Sequence, residues 1–283
     1  MGMNQYPDYS KKLIVVFALL LWNALICIGD CRVLHLLPGN ADRLFPVLYA
    51  DPYETQLGFS ADINHDQYIG RIGGSVYLFQ LCMGKNITET DKRGIFLGIT
   101  GYSWSLLNRE GHKFPLIAVD YLIASFVDFH WHKSLWRVKF SHISAHLGDR
   151  YFTLNKVVVP GVYSREFFSI YTAYPIKNII IYQTIHCIYH SIPVAKSIKL
   201  QDGFIINLNK ISNHLIPYIN VDFQMPGEYK YQSNFSFQLG IRMNYKKNTS
   251  YRLAVSFYKG NNIFGQYCRQ RQHIPATGFY IDF

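Results

Sequence analysis

The sequence predicts an all-β chain, an antiparallel transmembrane β-barrel of about twelve strands. Three observations carry that expectation. After residue 50 the chain repeats one unit, roughly ten to fifteen residues of alternating polarity followed by turn residues. These units exceed the usual strand of about five or six residues and match the 9–11 or so that cross a bilayer when tilted. Only 16% of residues are charged, against roughly 25% in an average soluble domain, while 16% are aromatic. That balance excludes a disordered chain, because apolar surface is ample and charge is sparse.

The elements follow in chain order. Leu13–Ile28 is the one long apolar run, broken only by Asn23 and preceded by Lys11 and Lys12. It is shorter than the roughly 20 residues a spanning helix needs, and the pattern fits a secretory signal peptide over residues 1–29. An uncleaved N-terminal anchor is the alternative. Residues 30–54 then form an N-terminal segment, and residues 55–283 the barrel. Strands are expected near 55–64, 67–83, 92–107, 115–131, 136–147, 163–175, 178–190, 197–209, 215–226, 233–245, 249–260 and 273–283.

Segment 115–131 shows the reasoning best. Its odd positions are Ile117, Val119, Tyr121, Ile123, Ser125, Val127, Phe129 and Trp131, whereas its even positions include Asp120, Ala124, Asp128 and His130. Side chains alternate along a strand, so one face is apolar with aromatics at its ends and the other holds carboxylates and an imidazole. In a barrel the apolar face meets lipid; in a secreted β-sandwich it would point inward. The chain ends with Phe279, Ile281 and Phe283 on one face. A final strand closing on an aromatic resembles the signal that bacterial outer-membrane barrels present to their assembly machinery. An even strand number brings both termini to the periplasmic side. The connection 132–135 is short and 148–162 is long, so 136–147 runs outward.

Several stretches resemble an uncharacterised family of predicted outer-membrane barrels, catalogued as a domain of unknown function. They are Leu48-Tyr-Ala-Asp-Pro-Tyr-Glu54, Trp136-Arg137 leading to His142-Ile-Ser-Ala-His-Leu-Gly-Asp149, Tyr163-Ser-Arg-Glu166, and Phe257-Tyr-Lys-Gly260 leading to Gly265-Gln-Tyr267. The resemblance implies a barrel in the outer membrane of a didermic bacterium, with no established activity. It departs from the family pattern at Tyr53 and Cys268.

Within HISAHLGD, His142, Ser144 and His146 share one strand face. Without a bulge that face is the outside of the barrel; a bulge near Ser141 would turn it into the lumen. Serine beside histidine is the minimum for an activated nucleophile. The His-x-Ser pattern is similar to that of outer-membrane lipid A deacylases, which implies Ser144 as nucleophile and His142 as general base. That family orients its histidine with a glutamate further along the chain. Here Asn155 and Lys156 stand at the comparable distance, Asp149 is nearer, and Glu166 lies across from His146 if the hairpin is symmetric. Two readings compete with this one. The row serves only hydrogen bonding near the rim, or His142, His146 and Asp149 offer ligands to a cation. His130 and His132 sit at the opposite end. His186 and His190 are expected to line the lumen.

The formal charge is +10, but the basic residues are scattered and no nucleic-acid motif accompanies them. They fit pairing with lipid phosphates at the rim, a basic lumen, or ordinary solvated charge. No glycine-rich phosphate loop, haem pattern or dinucleotide fingerprint occurs, so no cofactor is expected. The expected partners are outer-membrane lipids or lipopolysaccharide, and the barrel assembly machinery through Phe283. Two functions follow. One is a non-enzymatic barrel acting as a pore, a lipid binder or a structural protein. The other is a serine-dependent lipid hydrolase.

Overall fold

A computed structural model describes residues 31–36, 43–83, 94–150, 161–195, 198–212, 214–246 and 249–283. The expected signal peptide lies outside the described residues, as do Asn155 and Lys156. The strands are β1 (Cys31–Leu36), β2 (Leu57–Asp62), β3 (Gln67–Met83), β4 (Ile95–Asn108), β5 (Leu116–Trp131), β6 (Ser134–Leu147), β7 (Tyr163–Ile176), β8 (Ile179–Ile192), β9 (Ile198–Asn207), β10 (Leu215–Pro226), β11 (Asn234–Lys246), β12 (Thr249–Asn261) and β13 (Arg271–Asp282). Each of β2 to β13 pairs antiparallel with its neighbours, and β13 pairs back onto β2. The ring therefore closes with twelve strands and leaves no long edge unpaired, as a barrel in a bilayer requires.

β1 has no counterpart in the sequence reading. It follows from a length mismatch. β2 covers only Tyr68–Arg71 of the much longer β3, and β1 pairs with the free edge at Phe79–Met83.

The two ends of the barrel differ. At one end, β5–β6 and β7–β8 are joined by the two-residue turns His132–Lys133 and Lys177–Asn178, whose first residues adopt φ of 54° and 53°. Residues 148–162 and 262–270 connect strands at the other end. β6 rises from the turn end to the loop end, as its flanking connections imply.

Facing follows the alternation on β5. Asp120, Leu122, Ala124, Phe126 and Asp128 are buried within the ring, while Tyr121 and Ile123 are exposed on the outside. The outer face is apolar elsewhere too. Leu239 opposes Val255, Ile241 opposes Leu253, and Leu253 opposes Phe279, all of them exposed. Near the turn end, Phe129, Trp131 and Trp136 form an aromatic cluster with centroids 5.5–6.3 Å apart.

The lumen is filled by the chain itself. Residues 43–56 fold back into the turn end as a plug. Phe45 packs edge-on against Tyr171, and Tyr49 lies 4.8 Å from Tyr218. The LYADPYE stretch turns sharply here: Asp51 N donates to Leu48 O, and Asp51 Oδ1 accepts from Tyr53 N. Asp51 is then tied to the wall. Gln201 Nε2 donates to Asp51 (3.0 Å) and Asp222 (2.6 Å), and Gln224 Nε2 donates to the same two carboxylates at 3.0 and 2.8 Å. Nearby, Arg137 forks onto Asp128 at 2.7 and 2.8 Å, with its guanidinium between the rings of Phe45 and Phe126. Arg252 binds Asp282 and lies 4.1 Å from the Tyr49 ring centroid. Arg137 and Arg252 are thus internal and paired with carboxylates, rather than set at the rim.

Candidate functional site

β6 pairs with β5 and β7 without a register shift from Trp136 to Ala145. No bulge re-aims its middle. Arg137, Lys139, Ser141, Ile143 and Ala145 are buried inward, and His142 and His146 are exposed on the outer face with half-buried Ser144 between them. The inward half of HISAHLGD has a packing reason. Gln266 Nε2 donates to Ala145 O at 2.9 Å, and Gly265 N donates to Asp120 Oδ2 at 2.7 Å. A Cβ on Gly265 would strike the Tyr163 ring at 2.4 Å, so glycine is needed where this loop docks against β7. Gly148 is equally constrained, since a Cβ there would lie 2.2 Å from Leu116 O. The outward His-Ser-His row has no such packing partner in the core.

Glu166 on β7 is opposite His142, not His146. The hairpin is asymmetric: β7 begins at Tyr163, opposite Ala145, so His146 extends past its start. Glu166 Oε1 lies 3.3 Å from His142 Nδ1, and Oε2 lies 3.1 Å from His190 Nδ1. His190 was expected in the lumen, and the structure corrects this. Glu166 pairs with His190 while Phe167 pairs with Ile188, so Tyr189 is an extra residue that flips the facing of β8. Tyr182, Thr184 and His186 therefore remain inside, whereas His190 and Ile192 point out. His186 does line the interior, bonded to Ser169 Oγ (2.7 Å) and Gln201 Oε1 (2.9 Å).

The outer surface thus carries Ser144, His142, Glu166 and His190 across three adjacent strands. Glu166 engages Nδ1 of His142, which leaves Nε2 for Ser144. The two side chains stand two residues apart on one face, roughly 6–7 Å between α-carbons, and they are not hydrogen-bonded to each other in this structure. His142 lies ten residues beyond His132 in the turn, which is about 25 Å of height at the usual rise and tilt. That is near the upper limit of an apolar band about 25 Å tall. Ionisable groups at such a place are costly and tend to be functional. His146 instead packs edge-on against Tyr121, with centroids 5.7 Å apart. Asp149 lies beyond the end of β6, outside the row. Among the described residues, no three His, Cys, Asp or Glu side chains gather as a metal site.

Sequence reasoning named His142, Ser144 and Glu166 but missed His190, because a bulge is not visible in an alternation pattern. The plug was missed for a similar reason, since its burial is non-local.

The chain is similar in fold to outer membrane phospholipase A from Escherichia coli, at 12% identity and a TM-score of 0.48, covering 84% of this chain and 95% of that one. It is also similar to the Salmonella typhi outer membrane phospholipase dimer with bound calcium, at 12% identity and a TM-score of 0.47, covering 86% and 94%. The KdgM porin in complex with disordered oligogalacturonate aligns at 6% identity and a TM-score of 0.45, covering 80% and 96%. No curated protein matches the sequence. The match that spans the chain, residues 26–283, is to the family described as Protein of unknown function (DUF1207), and the chain belongs to that family.

Proposed function

We propose that the protein is a non-conducting barrel of the bacterial outer membrane that works at the lipid leaflet. Its turn end would face the periplasm, and the terminal Phe283 would serve recognition by the assembly machinery. Outer-membrane lipids or lipopolysaccharide would be its contacts. The observation that carries this reading is the plug, held by Asp51 to Gln201 and Gln224 across a lumen crowded with paired side chains. An ion path through the turn end would have to displace Leu48, Tyr49 and the Arg137–Asp128 pair, all of them buried. Purified protein in planar bilayers is therefore expected to show no single-channel conductance, and steady openings at low protein density would overturn the proposal.

The membrane placement has its own test. Leu253 is exposed in the middle of the apolar outer face. Leu253→Arg should cost about 2–4 kcal/mol of stability in lipid vesicles, because a charge then faces hydrocarbon. An unchanged urea midpoint would mean that this face does not meet acyl chains.

A second reading is favoured by one specific contact, Glu166 Oε1 beside His142 Nδ1. With Ser144 on the same face this is the order acid, base, nucleophile of a serine hydrolase. It supports a lipid A deacylase-like esterase acting on an acyl ester in the adjacent leaflet. His142 would take the Ser144 proton as the hydroxyl oxygen attacks the ester carbonyl and pass it to the departing alcohol oxygen as the ester C–O bond breaks, water would then release the fatty acid from Ser144 by the same route, and Glu166 would hold the imidazole and stabilise its charged form. Comparing the acyl chains of host lipids with and without the protein tests it, and identical profiles would count against it.

A further inference from the structure

The outer face of β11, β12 and β13 is built in rungs of cross-strand partners. The lowest is Met243, Tyr251 and Ile281, and the fourth is Phe237, Phe257 and Pro275. None of these four rungs holds a charged side chain. The fifth rung, Phe235, Lys259 and His273, ends the run, with Lys259 directly opposite His273 and both exposed. Lys259 lies eight residues beyond Tyr251, which is about 20 Å of height at the usual rise and tilt. The two side chains therefore stand near the top of an apolar band about 25 Å tall.

At and above this rung the charge has one sign. Between Glu228 and Asp282, Lys and Arg occupy eight positions and Asp and Glu none. Lys259 and His273 make no side-chain hydrogen bond or ion pair among the described residues. Arg271 reaches back over the top of β12 to Ser233 O (3.1 Å) and Gln232 Oε1 (3.4 Å), with no carboxylate partner. Arg269 is exposed in the loop above. The acids that flank this sector are engaged or set aside. Glu228 pairs with Arg165 at 3.0 Å. Asp62, at the end of β2, accepts from Asn64 N and lies 2.9 Å from His65 Nδ1. Asp66 precedes β3 on the side of Arg109, whose N donates to Asp66 O. Elsewhere at the loop end an arginine has its acid, as Arg150 has Glu110 at 2.7 Å.

We propose that this strip binds lipopolysaccharide, with acyl chains laid along the four apolar rungs and a phosphate of the glucosamine base held by Lys259, His273 and Arg271. The proposal rests on the outer-membrane reading above and gives one sector of the wall to a contact that reading leaves unplaced. A single exposed ion pair contributes little. Here an ammonium, an imidazole N–H and a planar guanidinium gather at one height, which suits the several acceptor oxygens of a phosphate. Long basic side chains at the edge of an apolar band also turn their charged ends toward the headgroups. The strip is on other strands than the row of Ser144 and His142, so it stands whether or not that row is catalytic.

The test is native mass spectrometry of the detergent-purified full chain, offered equal amounts of bis-phosphorylated lipid A, its dephosphorylated form and phosphatidylglycerol. The bis-phosphorylated lipid A should be retained, one per chain, at least about tenfold over either competitor. Lys259→Gln combined with Arg271→Gln should abolish that preference. Lys113→Gln, exposed in the β4–β5 connection, should keep it. Equal retention of the two forms of lipid A overturns the proposal, as does an unchanged preference in the double variant. Equal retention of phosphatidylglycerol also overturns it, because the strip would then read any anionic headgroup. Flotation of the same protein with neutral phosphatidylcholine vesicles separates the two levels. A chain that inserts but shows no phosphate preference loses this inference alone, whereas one that does not insert loses the outer-membrane reading with it.

Discussion

Asp128→Ala is expected to cost about 3–5 kcal/mol of barrel stability, the usual penalty for stranding one half of a buried ion pair. Asp128 and Arg137 are direct cross-strand partners on β5 and β6, and both carboxylate oxygens accept from the guanidinium. Tyr77 donates its hydroxyl to the same carboxylate and accepts from Leu44 N in the plug. Removal of the carboxylate would leave Arg137 charged between two aromatic rings with no counter-ion, and would loosen the Tyr77 link to the plug. Urea unfolding in lipid vesicles measures the cost. Adding Arg137→Met should recover most of it, because the stranded charge disappears with its partner. A loss below about 1 kcal/mol in the single variant, the size typical of solvent-exposed pairs, would show that this pair does not pin the plug.

Ser144→Ala carries the largest effect on activity. If Ser144 attacks the ester, the hydroxyls opposite it are those of Tyr121 on β5 and Ser164 on β7, and neither residue is a cross-strand partner of His142. Acyl release should then fall by at least about a thousandfold, as expected when a nucleophile is removed. Glu166→Gln keeps the shape of the side chain and removes the charge that holds the imidazole, so a smaller loss is expected. His190→Phe separates two roles for Glu166. If His190 only competes for the carboxylate, the variant keeps its activity or gains some. Outer membranes carrying each variant, compared by mass spectrometry of their acyl chains, give the readout. Acyl profiles from Ser144→Ala that match the unmodified protein would remove the hydrolase reading and leave the lipid-binding barrel.

Much of this molecule is legible in the order of its residues. The alternation on segment 115–131 separates an apolar face from one with Asp120 and Asp128, and those faces are outside and inside in the folded barrel. Strand ends from Leu57 to Asp282 fall within a few residues of the expected bounds, because a period of two survives wherever one face is greasy. The outward His142 and Ser144 follow from the same arithmetic.

Other features depend on contacts between distant parts of the chain. The Glu166 register was set by the asymmetry of the hairpin, which a strand pattern does not encode. His190 turned outward because Tyr189 is bulged, and a bulge exists only relative to a partner strand. The plug, which looks like an ordinary polar turn in LYADPYE, is buried because Asp51 meets Gln201 and Gln224 some 150 and 173 positions away. Alternation is a local property and can be read along one strand, whereas register, bulges and the filling of the lumen are fixed by pairing energies between strands, and these exist only once the ring has closed.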